Sequence, residues 1–366
     1  MINASIGELA DASISSANGN ISVVDGTNEH IVSCKMKNKK WIALGFAIIA
    51  ALLLLLLPND TKLQYYHHQG NIFGTYYNIR YEGTEDLHQA IKQKLQEVDN
   101  SLSMFNPSST ISKINRNDSV TTDSLFEVMY HEAKLVSELS HGAFDITVAP
   151  LVNAWGFGKK SQEPRAKSVN VDSIKAFVGY EKVRLHEHHI QKDDHRITLD
   201  ASAIAKGYAC DVVANLLRTN GINNLLVDIG GEVVLQGTNV QGDPWRVGIS
   251  KPKKDASGME SELQEVIEST DLCMATSGNY LQYYFVDGER RSHTIDPRTG
   301  YPVHHSLLSA TVTASSCMRA DALATACMVL GEKEALNTIE STPDAACYLI
   351  VAQGDSLQVI TSSRWQ

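Results

Sequence analysis

The feature that most constrains this chain of 366 residues is one uninterrupted apolar run from Trp41 to Leu57. As a helix it would be about 25 Å long, at the short end of what crosses a bilayer. Four lysines between positions 35 and 40 precede the run, and polar residues follow it. Because positive charge is retained in the cytoplasm, this pattern predicts a cytoplasmic N-terminus and an exported remainder.

The run could be a cleaved export signal or an uncleaved anchor. No A-x-A site follows it, and no cysteine sits just after it to accept a lipid. We therefore expect a transmembrane signal-anchor helix over residues 41–57. Residues 1–40 would be a cytoplasmic, disordered tail, residues 58–70 a linker, and residues 71–366 the globular part.

Net charge and cysteine spacing exclude some classes of function. The formal net charge of −10 argues against a nucleic-acid partner, which needs clustered Lys and Arg. The six cysteines form no CxxC pair and no zinc-like spacing. Small buried thiols are the favoured interpretation, although a disulfide in an oxidising compartment stays open.

Hydrophobic periodicity in the globular part indicates helices mixed with hairpins. Apolar residues recur at helical spacing in four segments, and β-branched or aromatic residues mark several strands. A Gly-Gly pair joins two of those strands as in a hairpin. The mixture lacks strict βα alternation, so we expect an α+β fold with mainly antiparallel sheets flanked by helices. The helices are expected at 87–102, 124–140, 202–219 and 319–330, with Gly331 closing the last, and the strands at 72–81, 225–229, 232–236 and 245–249.

Residues 159–195 are rich in charge and predict a surface excursion. His186, His188 and His189 fall within it. A metal site there is conceivable, but alternation along a strand places adjacent histidines on opposite faces. A solvated edge is the favoured interpretation.

Asp321 and Thr325 are four residues apart on a predicted helix and therefore share one face. A carboxylate with a hydroxyl is a hard oxygen pair that suits Mg²⁺. Spacing alone favours the other interpretation, an acidic residue that stabilises a helix start beside a buried threonine.

Further candidates lie near turns and helix starts. Lys206 and Gly207 fall in the first turns of a predicted helix, where free N–H groups can bind an anion. His293 precedes a turn and could act as a general base, or be an ordinary loop histidine. Phe105 and other aromatic residues near Gly and Pro could line a flat pocket. No Walker A loop and no G-x-G-x-x-G follow a strand.

Taken together in chain order, these segments resemble the ApbE family of FAD:protein FMN transferases over roughly residues 70–350. No single motif is decisive, but so many in one order are highly specific. The motifs are Gly74-Thr75, Leu102–Ser109, Ile111–Asn115, Gly142–Thr147, Pro150-Leu151, Trp155–Gly158, Asp200–Asp211, Asp228–Glu232, Thr276–Tyr280, His293–Gly300 and Arg319–Ala326.

The resemblance implies a role for each candidate. Asp321 and Thr325 match the family's Mg²⁺ ligands, joined by a backbone carbonyl that we place at Ala203. His293 matches the histidine proposed to assist transfer, and Phe105 the aromatic position at the isoalloxazine ring. The remaining residues assigned to FAD binding are Met104, Asp145, Lys206, Gly230, Gly231, Glu232, Thr276, Ser277 and Gly278.

The resemblance also implies an activity and its setting. FMN would pass from FAD to a Thr or Ser hydroxyl of a flavoprotein subunit in a membrane redox complex, with release of AMP. The catalytic part would face the periplasm from the bacterial inner membrane. Alternatives are an FAD pyrophosphatase, a passive FAD-binding protein and an exported domain without flavin.

The sequence departs from the family pattern at three points. Ser202 occupies a position where Gly is frequent, and Thr110 one where an acidic residue is frequent. The first departure affects the backbone on the pyrophosphate side. The usual lipid-bearing cysteine is absent, so the apolar run would serve as the anchor.

Overall fold

The computed structural model describes residues 15–17, 20–22, 62–157, 170–252, 263–279, 283–286, 289–354 and 356–365. The chain divides into two compact units, Met1–Lys62 and Leu63–Gln366. In the first unit the strands β1 (Ser15–Ala17) and β2 (Asn20–Ser22) form a short antiparallel pair inside the expected tail. The expected transmembrane run lies outside the described residues. Within the described part, no helix has the length and apolar character needed to cross a membrane.

The second unit begins with a hairpin and a set of helices. These elements are β3 (Gln64–Ile72), β4 (Thr75–Gly83), α1 (His88–Leu102), α2 (Thr110–Asn115), α3 (Ser124–Leu139), α4 (Ala149–Ala154), α5 (Val171–Lys175), β5 (Val183–His186), β6 (His189–Lys192) and α6 (Ala205–Thr219). The strands that follow are β7 (Leu225–Ile229), β8 (Glu232–Gln236), β9 (Trp245–Ser250), β10 (Leu263–Ser269), β11 (Asp271–Gly278), β12 (Tyr283–Val286), β13 (Glu289–Ser292) and β14 (Leu307–Thr313). The chain closes with α7 (Cys317–Glu340), β15 (Ala346–Gln353) and β16 (Ser356–Thr361).

An eight-stranded sheet organises this unit, in the order β16-β15-β14-β11-β8-β7-β4-β3. Each neighbouring pair is antiparallel. The α+β fold with antiparallel strands and flanking helices is therefore confirmed. The hairpin predicted around Gly230-Gly231 is confirmed as β7–β8, with positive φ at both glycines.

Both faces of the central sheet are covered, which explains the almost continuous apolar sequence of β7. Successive residues of a strand point to opposite faces. Val227 joins the main core, which also contains Val213 of α6 and Leu323 of α7. Its neighbour Leu226 packs instead in a second cluster with Trp245 at the start of β9. Helices therefore cover one face, and the β9–β10 ribbon contributes to the cover of the other.

Two predicted boundaries differ from the structure. The strand expected over 72–81 is two strands joined by a tight turn, because Phe73 and Gly74 both adopt positive φ. The first of these strands, β3, begins at Gln64, inside the segment predicted as a linker. Gly331 closes the first helical stretch of α7 as predicted, with a non-helical φ of 75° and ψ of 171°, and a second helical stretch follows it to Glu340.

The histidine-rich excursion contains a hairpin on the surface. His186 pairs across it with His189, and both are exposed. His188 lies 2.8 Å through Nδ1 from Glu127 Oε1. Residues 159–169 of the predicted excursion lie outside the described residues.

Candidate functional site

A cavity of about 650 Å³ lies where several of the sequence motifs converge. Its walls come from the loop after α1, the segment between α3 and α4, the turn before α6, the end of β11, the segment that begins at His293 and one face of α7. The sequence-predicted residues that line it are Met104, Phe105, Asp145, Ala203, Lys206, Ser277, Gly278, His293, Asp321 and Thr325. Tertiary structure thus brings together residues that are far apart in the chain.

Four of the predicted residues do not line the cavity. Gly230 and Gly231 form the β7–β8 turn, and Thr276 hydrogen-bonds through its hydroxyl to Thr311 Oγ1 at 2.9 Å. Glu232 is buried, but it reaches the cavity indirectly because its Oε1 accepts a hydrogen bond from Lys206 Nζ. Its contribution is therefore to hold a lining residue.

Asp321 and Thr325 lie on the same face of α7, and each has a fixed hydrogen-bond partner. The main-chain N–H of Gly207 donates to Asp321 Oδ2 over 3.0 Å. The hydroxyl groups of Thr325 and Ser277 are 3.2 Å apart. Asp321 is almost fully buried, so the bond from Gly207 determines the orientation of its carboxylate. The helix thus presents a carboxylate and a hydroxyl to the cavity.

Close packing of α6 on α7 depends on the absence of a side chain at Gly207. A Cβ atom there would lie 2.2 Å from the carbonyl oxygen of Cys317 and 2.8 Å from Asp321 Cβ. Real atoms do not approach so closely, so any larger residue would push the helices apart. The glycine therefore allows its own N–H to reach the Asp321 carboxylate.

Lys206 lies between two buried carboxylates. Its Nζ atom contacts Glu232 Oε1 and is 3.9 Å from Asp321 Oδ1. Burial lowers the pKa of Lys206, but the charges of Asp321 and Glu232 outweigh it and the pKa is raised. Burial and repulsion from Asp321 raise the pKa of Glu232. The Lys206 ammonium group thus interacts with both carboxyl groups.

Lys206, Glu232 and Asp321 form a charged triad whose hydrogen bonding and net charge leave room for an additional cation. Glu232 Oε2 is buried and has no hydrogen-bond partner among the described residues. Two carboxylates with a single ammonium leave an excess of negative charge if both are ionised. Asp321, Thr325 and the backbone carbonyl of Ala203 line the cavity. Their possible metal-ligating atoms are all oxygens, the ligand type that Mg²⁺ prefers. The residues present therefore fit a hard divalent cation.

Asp145 occupies the opposite wall as a buried carboxyl group. Its Oδ1 accepts hydrogen bonds from the N–H and hydroxyl of Thr147, both at 2.7 Å, and its Oδ2 accepts from Tyr180 N at 2.8 Å. Burial raises the pKa of Asp145 to about 6, and these hydrogen bonds partly oppose the rise. Asp145 thus fixes the local backbone of the cavity wall.

His293 enters the cavity from the segment that precedes a compact turn. Its ring packs edge-on against Phe157, with ring centroids 6.3 Å apart. Gly300 N donates to Asp296 O at 2.7 Å, and Trp155 Nε1 donates to Gly300 O at 2.8 Å. The first bond closes the turn and the second attaches it to Trp155, the residue that follows α4, so the half-buried imidazole has a defined place at the cavity wall.

Sequence reasoning missed part of the lining. Met328 and Val329, three and four residues after Thr325 on α7, line the cavity. Their spacing from Asp321 places them on the same helical face, and that periodicity could have revealed them. Asp211 lies outside the lining, and the motif Asp200–Asp211 gave it no role of its own. A carboxylate that binds the start of another helix leaves no local signal in the sequence.

Other parts of the described chain offer no competing metal site. Within those ranges, no group of three or more His, Cys, Asp and Glu side chains could hold a metal ion. Five cysteines are free thiols, and four of them are buried, as the favoured interpretation expected. Cys34 lies outside the described residues.

Comparisons with known proteins agree with this architecture. Residues 73–349 match the model of the ApbE family. The chain is 37% identical over 336 residues to the FAD:protein FMN transferase of Vibrio cholerae, covering 88% of this chain and 98% of that protein. It is 34% identical over 311 residues to the protein of the same name from Escherichia coli K12, covering 81% and 87%.

Solved structures show the same likeness. The flavin transferase ApbE from Vibrio cholerae superposes with a TM-score of 0.73 at 36% identity, covering 82% of this chain and 98% of that chain. The apo flavinyl transferase ApbE from Pseudomonas stutzeri gives a TM-score of 0.73 at 29% identity, covering 82% and 95%. With the family match spanning most of the sequence and both relatives aligned over nearly their full length, this chain belongs to the ApbE family.

Proposed function

We propose that this protein is an FAD:protein FMN transferase, which moves FMN from FAD to a hydroxyl side chain of another protein. The single observation that carries the proposal is the cavity itself. It combines the Asp321–Thr325 pair, the Lys206 ammonium group and His293 with the aromatic side chains of Phe105 and Phe157. Its relatives from Vibrio cholerae and Escherichia coli bear this activity in their names.

The pyrophosphate of FAD fits the end of the cavity formed by α6 and α7. Lys206 remains an ammonium group there, because Asp321 and Glu232 raise its pKa despite burial. Asp321, Thr325 and the carbonyl of Ala203 would hold Mg²⁺. When bound, Mg²⁺ would neutralise phosphate charge and make phosphorus a better electrophile. The flavin ring would lie against Phe105, with Met104 beside it.

His293 would act as the general base of the transfer. It takes the proton from an acceptor Thr or Ser hydroxyl, and that oxygen attacks the phosphorus of the FMN half. A new P–O bond forms to the acceptor, while the pyrophosphate P–O bond breaks and AMP leaves. The product is a phosphoester, so no net oxidation or reduction occurs.

Intact mass spectrometry tests this function. The full chain is incubated with FAD, Mg²⁺ and an acceptor protein that carries the short Ser/Thr-Gly-Ala-Ser/Thr segment implied by the resemblance to the ApbE family. We expect an added FMN mass on the acceptor, with no addition when the metal is chelated or when Asp321→Ala replaces the wild type. Free FMN with an unmodified acceptor would indicate a pyrophosphatase, and unchanged FAD would indicate a passive binder.

We further propose that the apolar run Trp41–Leu57 anchors the protein in the bacterial inner membrane, with the catalytic part on the extracytoplasmic side. The lysines before the run and the polar residues after it support this orientation. The acceptor would then be a flavoprotein subunit of a membrane redox complex. Protease added to spheroplasts should cleave the catalytic part, whereas protection until lysis would contradict the orientation.

A further inference from the structure

Asp211 lies on α6 and binds the beginning of α7. Its Oδ1 accepts a hydrogen bond from Cys317 N at 3.0 Å, and its Oδ2 accepts one from Met318 N at 2.8 Å. The first N–H groups of a helix have no partner within the helix. One carboxylate from a neighbouring helix therefore satisfies two of them.

The next free donor of this helix start has a partner as well, since Ser316 Oγ accepts from Arg319 N at 3.2 Å. The bonds within the helix then begin with Ala320 N, which donates to Ser316 O at 3.0 Å. The three N–H groups that precede this first helical bond are thus all engaged. Because α7 already has its own N-cap in Ser316, Asp211 adds something that a helix does not ordinarily require, which is a full negative charge at its start.

That charge lies close to the candidate cation site. Asp321 and Thr325 follow Cys317 by one and two turns on the same helix. The N-terminal end of a helix carries about half a positive charge, which repels a cation bound in the first turns. A carboxylate on the N–H groups offsets that repulsion. The site would therefore bind a divalent cation more tightly with Asp211 ionised than without it.

Asp211 also belongs to a larger contact between the two helices. Gly207, one turn earlier on α6, donates its N–H to Asp321 Oδ2 at 3.0 Å. The same face of α6 therefore fixes the start of α7 and the carboxylate one turn further on. Burial is the largest influence on the pKa of Asp211 and raises it to about 6. Of the nearby charges, Arg218 lowers this pKa and Glu132 raises it.

We propose that Asp211 is a positioning residue for the Asp321–Thr325 cation site, which it supports by holding the start of α7 and by offsetting the positive end of that helix. The proposal rests on the proposed function, because it assumes that these two residues hold a divalent cation. Asp211 does not line the cavity, so its effect must pass through α7.

A titration of the full chain with Mn²⁺ alone tests this role without any turnover. The EPR signal of the free ion measures how much Mn²⁺ is bound. Asp211→Asn keeps the size and one acceptor but removes the charge. We expect it to weaken Mn²⁺ binding by about fivefold, the size of a helix-end charge effect. Asp211→Ser is prepared in parallel, and either variant that folds decides the matter.

Asp344→Asn is the matched control. Asp344 also binds the first turn of α7, but through the Arg319 side chain at 2.7 Å rather than through N–H groups. It should change Mn²⁺ affinity less than twofold while lowering the unfolding midpoint. Equal losses in Asp344→Asn and Asp211→Asn, or unchanged affinity in Asp211→Asn, would overturn the proposal.

Two further outcomes separate this inference from the proposed function. If the wild type bound no Mn²⁺, the metal site of the proposed function would be wrong, and this inference with it. If the wild type bound Mn²⁺ and neither Asp211 variant folded, only the positioning role would be overturned, because Asp211 would then serve the stability of the fold.

Discussion

The main-chain N–H of Gly207 donates a hydrogen bond to Oδ2 of Asp321 over 3.0 Å, and this contact joins α6 to α7 at the floor of the cavity. It exists because the two helices approach so closely that no Cβ fits at Gly207. A residue from the helix that carries Lys206 thereby orients the carboxylate on the helix that carries Thr325. The same contact therefore determines both the packing of the two helices and the position of the Asp321 carboxylate.

Gly207→Ala should disrupt both the packing and the site. The added methyl group would meet the Cys317 carbonyl oxygen, and overpacking of this kind costs about 1–3 kcal/mol. Urea unfolding measures the loss. Asn215→Ala, at an exposed position of the same helix, should stay within about 0.5 kcal/mol of the wild type. Equal stability of Gly207→Ala and the wild type would show that α6 and α7 separate without cost.

Thr325→Val should impair transfer while leaving the fold intact. The substitution keeps the side-chain volume but removes the hydroxyl group that lies 3.2 Å from Ser277 Oγ. Because that oxygen is a proposed Mg²⁺ ligand, we expect FMN transfer to fall by about tenfold or more, or about 1.4 kcal/mol in the barrier. Initial rates of AMP release measure this.

The control for that variant is Thr311→Val. Thr311 is also buried and pairs its hydroxyl group with Thr276 at 2.9 Å, but it does not line the cavity. It should lower stability by about 1–3 kcal/mol, because its partner would lose a buried hydrogen bond. Transfer should persist in the folded fraction. Full transfer by Thr325→Val would exclude Thr325 as a ligand.

Lys206→Met should be strongly destabilising near neutral pH. It would leave the Asp321 carboxylate and the carboxyl group of Glu232 buried without their shared ammonium group. Breaking a buried ion pair in this way costs about 3–5 kcal/mol. Guanidinium unfolding measures the loss, and Lys94→Met, which breaks an exposed pair with Glu97, should cost less than about 1 kcal/mol. A similar small effect at Lys206 would contradict the strong coupling of the triad.

Asp145 should make stability depend on pH. Burial raises its pKa to about 6 in the folded state, whereas an unfolded Asp titrates near about 3.9. The folded state therefore binds the proton more tightly, and the free energy of unfolding falls as pH rises from about 4 through 6.

Between about pH 5 and 7 the wild type should lose about 1 kcal/mol that Asp145→Asn does not lose. Urea unfolding of both proteins at the two pH values gives that difference directly. An identical change in the two proteins would mean that Asp145 titrates as it does in the unfolded chain.

The described cysteines should resist thiol reagents in the folded protein. Cys210, Cys317, Cys327 and Cys347 are buried, and burial raises their pKa values. Burial likewise raises the pKa of the half-buried Cys273 to about 12. Since the thiolate is the reactive form, labelling at about pH 8 should be slow until the protein unfolds. A Cys34→Ser background removes the remaining thiol, and fast labelling in it would contradict the packing.

Sequence by itself determined the α+β class, most of the helices and the β7–β8 hairpin, because each rests on short-range periodicity or turn chemistry. It also identified Asp321 and Thr325 as neighbours, since helical spacing alone places them on one face. It did not separate β3 from β4, where positive φ at Phe73, a residue type without a turn preference, makes the turn.

Tertiary structure alone decided how these parts meet. The approach of Gly207 to Cys317, the sharing of Lys206 between Glu232 and Asp321, and the capping of α7 by Asp211 all join segments distant in the chain. Such contacts depend on packing and on charge in a desolvated interior, and neither leaves a periodic pattern in the sequence. The local sequence therefore identifies the side chains of this site, but only the packed fold determines which groups they contact.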